Sequence, residues 1–311
     1  LDVSRTLDVS QKKQPRRNNS VQPSAKKKQP ETTLTKPQEE ESNAAELLKF
    51  LRAKYMAETA LTEEDIKSVR SWLTAIPNRN INQTVIPRRN INQTDSLQNT
   101  ALHYAVRIKE LPTAKEIVRG LLDKGADLES DFSMNSCQET VLHWALGNSS
   151  PKTMKEIVTM LIKHLNRKSM ANHKVGMPGK TAMQANIANF LNKRNNIGWT
   201  ALHFAVANIN RDKDLDEVKE VVKILLDQGA DVNRINDDGQ TPLHLIAILN
   251  KNPEIAKAIA VMLIDHLKQK GTAENVSKFL NIRDKKRRTA LDLAKEYSNE
   301  TVIQLLQQFQ G

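Results

Sequence analysis

Four stretches of this chain align on one another without a gap: residues 91–103 (INQTDSLQNTALH), 191–203 (LNKRNNIGWTALH), 232–244 (VNRINDDGQTPLH) and 280–292 (LNIRDKKRRTALD). In each, an aliphatic residue lies nine positions before a Thr. A fifth stretch, 128–143 (LESDFSMNSCQETVLH), aligns at both ends with three extra residues between. A second element follows each of the first four copies in chain order: AKEIVRGLLDKGADL (114–128), MKEIVTMLIKHL (154–165), VKEVVKILLDQGADV (218–232) and IAKAIAVMLIDHL (255–267). Their apolar residues fall at helical spacing, which predicts amphipathic helices with one core face. Gly125 and Gly229 stand where a helix wants a left-handed terminating residue. The last copy ends in TVIQLLQQF (301–309), a short version of the same helix. One such unit cannot bury its apolar face alone, so the core must come from stacking successive units. Aromatics at 4% and only ten glycines favour stacked helices over a β-sandwich.

The anchoring threonines are Thr100, Thr140, Thr200, Thr241 and Thr289, at spacings of 40, 60, 41 and 48. The spacing alternates because the copies do. The first and third share LLD-[KQ]-GAD-[LV]. The second and fourth share LI-[KD]-HL and then an added segment ending NIANFLNKRN (186–195) or NVSKFLNIRD (275–284). A two-repeat unit that was itself duplicated accounts for this pattern.

T-[AP]-L-H, a helix, a turn, a second helix and then L-L-x-x-G-A-D together resemble the ankyrin repeat. The resemblance covers about residues 91–311. It implies an all-α ankyrin-repeat solenoid of about five long, irregular helix-turn-helix repeats with β-hairpin-like fingers. In that family the Thr and His of the motif tie neighbouring turns together, which accounts for His103, His143, His203 and His244. The repeats depart from the usual length near 33 residues. Asp292 replaces the last motif His, which fits a terminal cap, and the GAD ending is lost in the second and fourth copies. Ahead of the repeats, AELLKFLRAKYMAE and TEEDIKSVRSWLTA predict two helices that cap the stack, the second capped by Thr62 and favoured by Glu63, Glu64 and Asp65 at its positive end. A ten-residue tandem duplication, IPNRNINQT-VIPRRNINQT (76–94), follows. The expected organisation is therefore a disordered basic tail (1–43), a helical cap and linker (44–90) and an ankyrin-repeat domain (91–311).

The tail is rich in Gln, Pro, Ser, Asn, Lys and Thr and lacks the apolar content that would offset its chain entropy. It carries nine basic and six acidic residues, leaving +8 of the net +11 on the rest of the chain. Such a balance favours acidic proteins, nucleic acid or an anionic membrane, or serves solubility alone. Lys12-Lys13, twelve residues, then Lys26-Lys27-Lys28 resembles a bipartite nuclear-import signal; a generic solvated basic tail reads the same way. The single cysteine, Cys137, rules out a disulfide framework within the chain and points to a reducing compartment such as the cytosol. No apolar run approaches a membrane span or a signal peptide. The expectation is a soluble monomer, with the nucleus, or export into a host cell by a route without a cleaved signal, as further destinations. The first residue is Leu, which fits a fragment or a bacterial gene read from a non-standard start codon.

No constellation suggests chemistry, and neither metal nor cofactor is expected. Four of the seven histidines are repeat-register residues, and His164, His173 and His266 have no paired ligand spacing. Gly179-Lys180-Thr181 lacks the glycine five residues upstream that a phosphate-binding loop needs; Lys174 is there instead. Cys137 and His143 share a finger without a third orienting group.

The resemblance implies binding through the finger tips and the exposed face of the first helices. By position this selects Leu97 and Asn99 with Arg107, then Asn196, Ile197 and Trp199, then Asp237, Asp238 and Gln240, and last Lys285, Lys286, Arg287 and Arg288. Trp199 is the leading candidate, since the repeat core does not demand a Trp there and Trp is enriched in interface hot spots. Trp144 is read as packing. The expected function is a protein-interaction scaffold, in the style of ankyrin effectors that intracellular bacteria deliver to a host protein. The alternative is a nuclear, nucleic-acid- or chromatin-associated adaptor.

Overall fold

The computed structural model describes residues 36–76, 91–128, 134–171, 180–207, 215–248 and 252–309. Those residues form fourteen helices, ten of which make two rows of five. One row holds the helices that follow the fingers: α3 (Ala101–Ala105), α5 (Val141–Leu146), α8 (Ala201–Ala207), α10 (Pro242–Ile248) and α13 (Ala290–Glu296). The other holds their partners: α4 (Leu111–Asp123), α6 (Pro151–Ala171), α9 (Leu215–Asp227), α11 (Pro253–Lys270) and α14 (Glu300–Gln307). Each helix packs on its own partner and on the next member of its row.

The reason is apolar spacing. In α4, Ala114, Ile117, Val118, Leu121 and Leu122 form one buried face; Val218, Val221, Val222, Leu225 and Leu226 repeat it in α9. The short row is buried nearly all round, because it is covered by its partner and by the repeats on either side. Across the long row, partly exposed ion pairs step from helix to helix: Lys115–Glu156 at 2.8 Å and Lys155–Glu220 at 2.9 Å. Pairs of this kind add little stability.

α4 and α9 stop where the glycines stand. Gly125 (φ +86°) and Gly229 (φ +97°) take the left-handed conformation. The Ala126 N–H then reaches back to the Leu121 carbonyl at 3.0 Å, and Ala230 to Leu225 at 2.9 Å, closing the helix ends. The turn so formed is held by an asparagine from the start of the same repeat. Asn92 accepts from the Asp127 N–H (2.8 Å) and donates to the Gly125 carbonyl; Asn192 does the same with Asp231 and Gly229.

The N-terminal pair, α1 (Lys36–Met56) and α2 (Glu63–Ala75), joins both rows: α1 packs on α3, and α2 on α4. Thr62 caps α2 in a reciprocal box with Asp65, which also meets Lys54 at 2.6 Å. Helix α1 begins at Lys36, so residues 36–43 are helical where the sequence reading places a tail. The added segments of the second and fourth copies are helices as well, α7 (Lys180–Leu191) and α12 (Ala273–Leu280). They lie on α6 and α11 and bury Ile187, Phe190 and Leu191 or Val276, Phe279 and Leu280. Lys12, Lys13, Lys26, Lys27 and Lys28 lie outside the described residues, as do His173 and Gly179.

Candidate partner-binding site

Five fingers precede the five threonines, and each is built on one acidic or amide side chain. Asp95, Asn135, Asn195, Asn236 and Asp284 are the first residues of these turns. In every copy the side-chain Oδ1 accepts the N–H groups two and four residues on, at 2.8–3.1 Å. A backbone turn closes on the same residue, as in Gly198 N–H to Asn195 carbonyl at 2.9 Å. These residue types start turns because a short polar side chain mimics a backbone acceptor. The fourth turn position has positive φ in all five fingers: Gln98, Gln138, Gly198, Gly239 and Arg287. At Gly198 glycine is required twice over, by φ +77° and because a Cβ would sit 2.7 Å from the Asp237 backbone nitrogen.

Successive fingers are tied tip to tip. Ser136 donates its N–H to the Leu97 carbonyl (2.9 Å), Asn196 to Cys137 (2.9 Å), Asp237 to Ile197 (3.1 Å) and Lys285 to Asp238 (2.8 Å). Beneath the tips a histidine ladder repeats this coupling. The Nδ1 atoms of His103, His143, His203 and His244 accept the N–H of their own Thr at 3.1–3.2 Å. Each Nε2 then meets the carbonyl just before the next Thr, those of Glu139, Trp199, Gln240 and Arg288, at 3.0–3.4 Å. A ring that accepts at Nδ1 and donates at Nε2 is neutral. Burial pushes His103, His143 and His203 down to about 4, and lowers His244 in the same direction. Asp292 keeps only the acceptor half, taking the Thr289 N–H and hydroxyl at 2.8 Å each. A His is needed only where a following finger offers a carbonyl.

The structure sorts the residues selected from the sequence. Leu97, Asn196, Ile197, Asp237, Asp238, Lys285, Lys286 and Arg287 are exposed on the tip row. Two are corrections. Trp199 is only 8% exposed; its ring packs on His203 and Phe204, and its carbonyl serves the histidine ladder. Asn99 is 2% exposed and bonds Tyr104 and Asn135. Both occupy the last finger position, which turns inward toward the next repeat. Gln240 and Arg288 share that position and are half-buried. Arg288 is held by Asp284 (2.8 Å) and Glu296 (2.7 Å). Arg107 is not with the tips. It follows the far end of α3, its guanidinium 5.9 Å from the Tyr55 ring centre, and lines a 420 Å³ pocket with Tyr55, Tyr104 and Ile108. Trp144 is half-buried against Tyr55, His103 and Tyr104, and donates to Glu139 at 2.8 Å.

One tip residue escaped the sequence reading. Ile235, just before the fourth turn, is 43% exposed. With Leu97 and Ile197 it makes three of the four large apolar side chains exposed among the described residues; Met56 is the other. The available signal was an aliphatic residue where the third and fifth copies carry Arg194 and Arg283. Among the described residues no group of three His, Cys, Asp or Glu could hold a metal, and no helix is long and apolar enough to cross a membrane.

Comparison with known proteins agrees with this geometry. A stretch of 113 residues is 36% identical to the ankyrin repeat protein FPV031 of fowlpox virus (strain NVSL); it is 35% of this chain and spans 27% of the viral protein. In fold, the chain is similar to the ankyrin repeat protein EF0377, at a TM-score of 0.53 and 22% identity, covering 84% of this chain and 98% of that one. It is also similar to an ankyrin repeat domain from Acinetobacter baumannii AYE, at a TM-score of 0.50 and 20% identity, covering 79% and 93%. The family model for ankyrin repeats in three copies matches residues 44–172 and 215–310, taking in α2 and the second part of α1. With its fingers, histidine ladder and paired rows matched over most of its length, this chain belongs to the ankyrin-repeat family.

Proposed function

We propose that this chain is a non-catalytic scaffold that holds a protein partner on its finger-tip row. The observation that carries this reading is the exposure of Leu97, Ile197 and Ile235 along five fingers locked in register. Exposed apolar side chains gain by being covered, and a finger backbone already locked in register has little conformational entropy left to lose. A finer reading, supported by the long irregular repeats and the basic leading sequence, is a bacterial effector whose partner is a host protein. Affinity capture from nuclease-treated cytosolic and nuclear extracts tests the scaffold with the full chain. A partner retained by the wild type and lost by the Leu97→Asp/Ile197→Asp double variant supports it. Retention by that variant overturns the finger-tip site.

The net charge of +11 favours a second reading, a nucleic-acid-associated adaptor. Capture that vanishes with nuclease and weakens steeply with salt would select it.

A further inference from the structure

The tip row has a direction. Its first three fingers present Leu97, the half-buried Cys137 and Ile197; the fourth presents Asp237 and Asp238, with Ile235 at its edge; the fifth presents Lys285, Lys286 and Arg287. Part of the charge on the fingers is consumed internally. Asp95 meets Arg52, Glu139 takes Trp144, Asp237 takes Arg194 at 2.7 Å, and Arg288 bridges Asp284 and Glu296. Asp238, Lys285, Lys286 and Arg287 are exposed, and no ion pair joins them to any described residue. The backbone link between Asp238 and Lys285 holds the two charge signs side by side.

We infer that the row recognises a protein segment of matching order: an apolar anchor facing the first three fingers, a cation facing Asp238, and an acidic cluster facing Lys285–Arg287. The inference rests on the finger-tip reading above and adds the chemistry of the partner. Each finger contributes two chain passes at about 4.8 Å, so neighbouring tips lie roughly 10 Å apart. From Ile197 to Lys286 is then about 20 Å, which an extended segment spans in about six residues. Opposite charges held in fixed order set register and reject a reversed segment, because like charges would face each other. A polyphosphate is the poorer occupant. A nucleic-acid backbone reaching the fifth finger along the row would have to cross Asp238, and its phosphates offer nothing to the apolar tips.

Selection of a random sixteen-residue peptide display library on the full chain tests this, with Lys285→Glu/Lys286→Glu and Asp238→Lys variants beside it. Circular dichroism confirms that the variants fold; the substituted side chains are exposed and form no ion pair with a described residue. The wild type should enrich peptides with an apolar residue, then Lys or Arg, then an Asp/Glu cluster, in one direction only. The Lys285→Glu/Lys286→Glu variant should bind those peptides at least about tenfold more weakly and enrich basic residues at the acidic position. If both chains enrich the same peptides, the charge order is wrong while the scaffold reading stands. Tighter binding of a sixteen-nucleotide single strand than of any selected peptide would also overturn the inference. Enrichment of nothing above the bare matrix would overturn the inference, while the scaffold reading is decided by the capture experiment.

Discussion

Lowering the pH from 7.5 to 5 should unlock the histidine ladder. His103, His143 and His203 are buried, accept a Thr N–H at Nδ1, and are pushed down to about 4. In the unfolded chain a histidine titrates near about 6.5. Because the folded value is the lower one, the unfolded state binds more protons between those limits. Stability is therefore full above about pH 6.5 and is lost as the pH falls toward 4. At pH 5 the unfolded histidine is almost wholly protonated and the folded one hardly at all, a difference of about 2 kcal/mol for each ring. Three rings together reach about 6 kcal/mol, against the total of about 5–15 kcal/mol typical of a domain. The carboxylates that the fold lowers, such as Asp284 and Asp292, lose their stabilising effect only below their ordinary value of 3.8, so this window belongs to the histidines. Thermal melts followed by far-ultraviolet circular dichroism at pH 7.5, 6 and 5 should show Tm falling by more than about 10 °C. In the His143→Gln variant the whole curve should start lower, and about a third of the pH dependence should disappear. Melting that is equal at pH 7.5 and 5 would refute the neutral, buried ladder.

The finger turns make opposite demands on two residues. Gly198→Ala should cost at least about 2 kcal/mol in denaturant titration, from positive φ and the crowding of Asp237. Arg287→Gly, at φ +63°, should gain about 1 kcal/mol by the same measurement. Asn192→Ala removes the bonds to Gly229 and Asp231 and should cost about 2 kcal/mol, with hydrogen exchange rising in the turn after α9. Trp199→Ala should lower Tm and cost about 3 kcal/mol in denaturant titration, as an emptied core site does. Ile197→Asp should leave Tm unchanged and weaken partner capture; equal effects of the two variants on Tm would contradict the assignment of one to the core and the other to the surface.

Much of this architecture is local chemistry and could be read residue by residue. Thr at each helix start, a ring or carboxylate three residues on, Asn or Asp opening each finger and Gly closing α4 and α9 act within a few residues of themselves. Their types and spacings therefore announce the turns and caps. The apolar periods announce the two kinds of helix for the same reason. What lay beyond sequence was decided by the neighbouring repeat. Trp199 and Ile197 are two residues apart in one finger; the inward-turning last position buries the first against His203 and Phe204, and the tip exposes the second. Arg288 looks like its neighbours Lys285–Arg287 until Glu296, at the far end of α13, is seen to hold it. The segments containing Phe190 and Phe279 became helices with a purpose only once α6 and α11 were there to receive them. Periodicity can name the face of a helix, but burial depends on what the next unit of the stack lays against it.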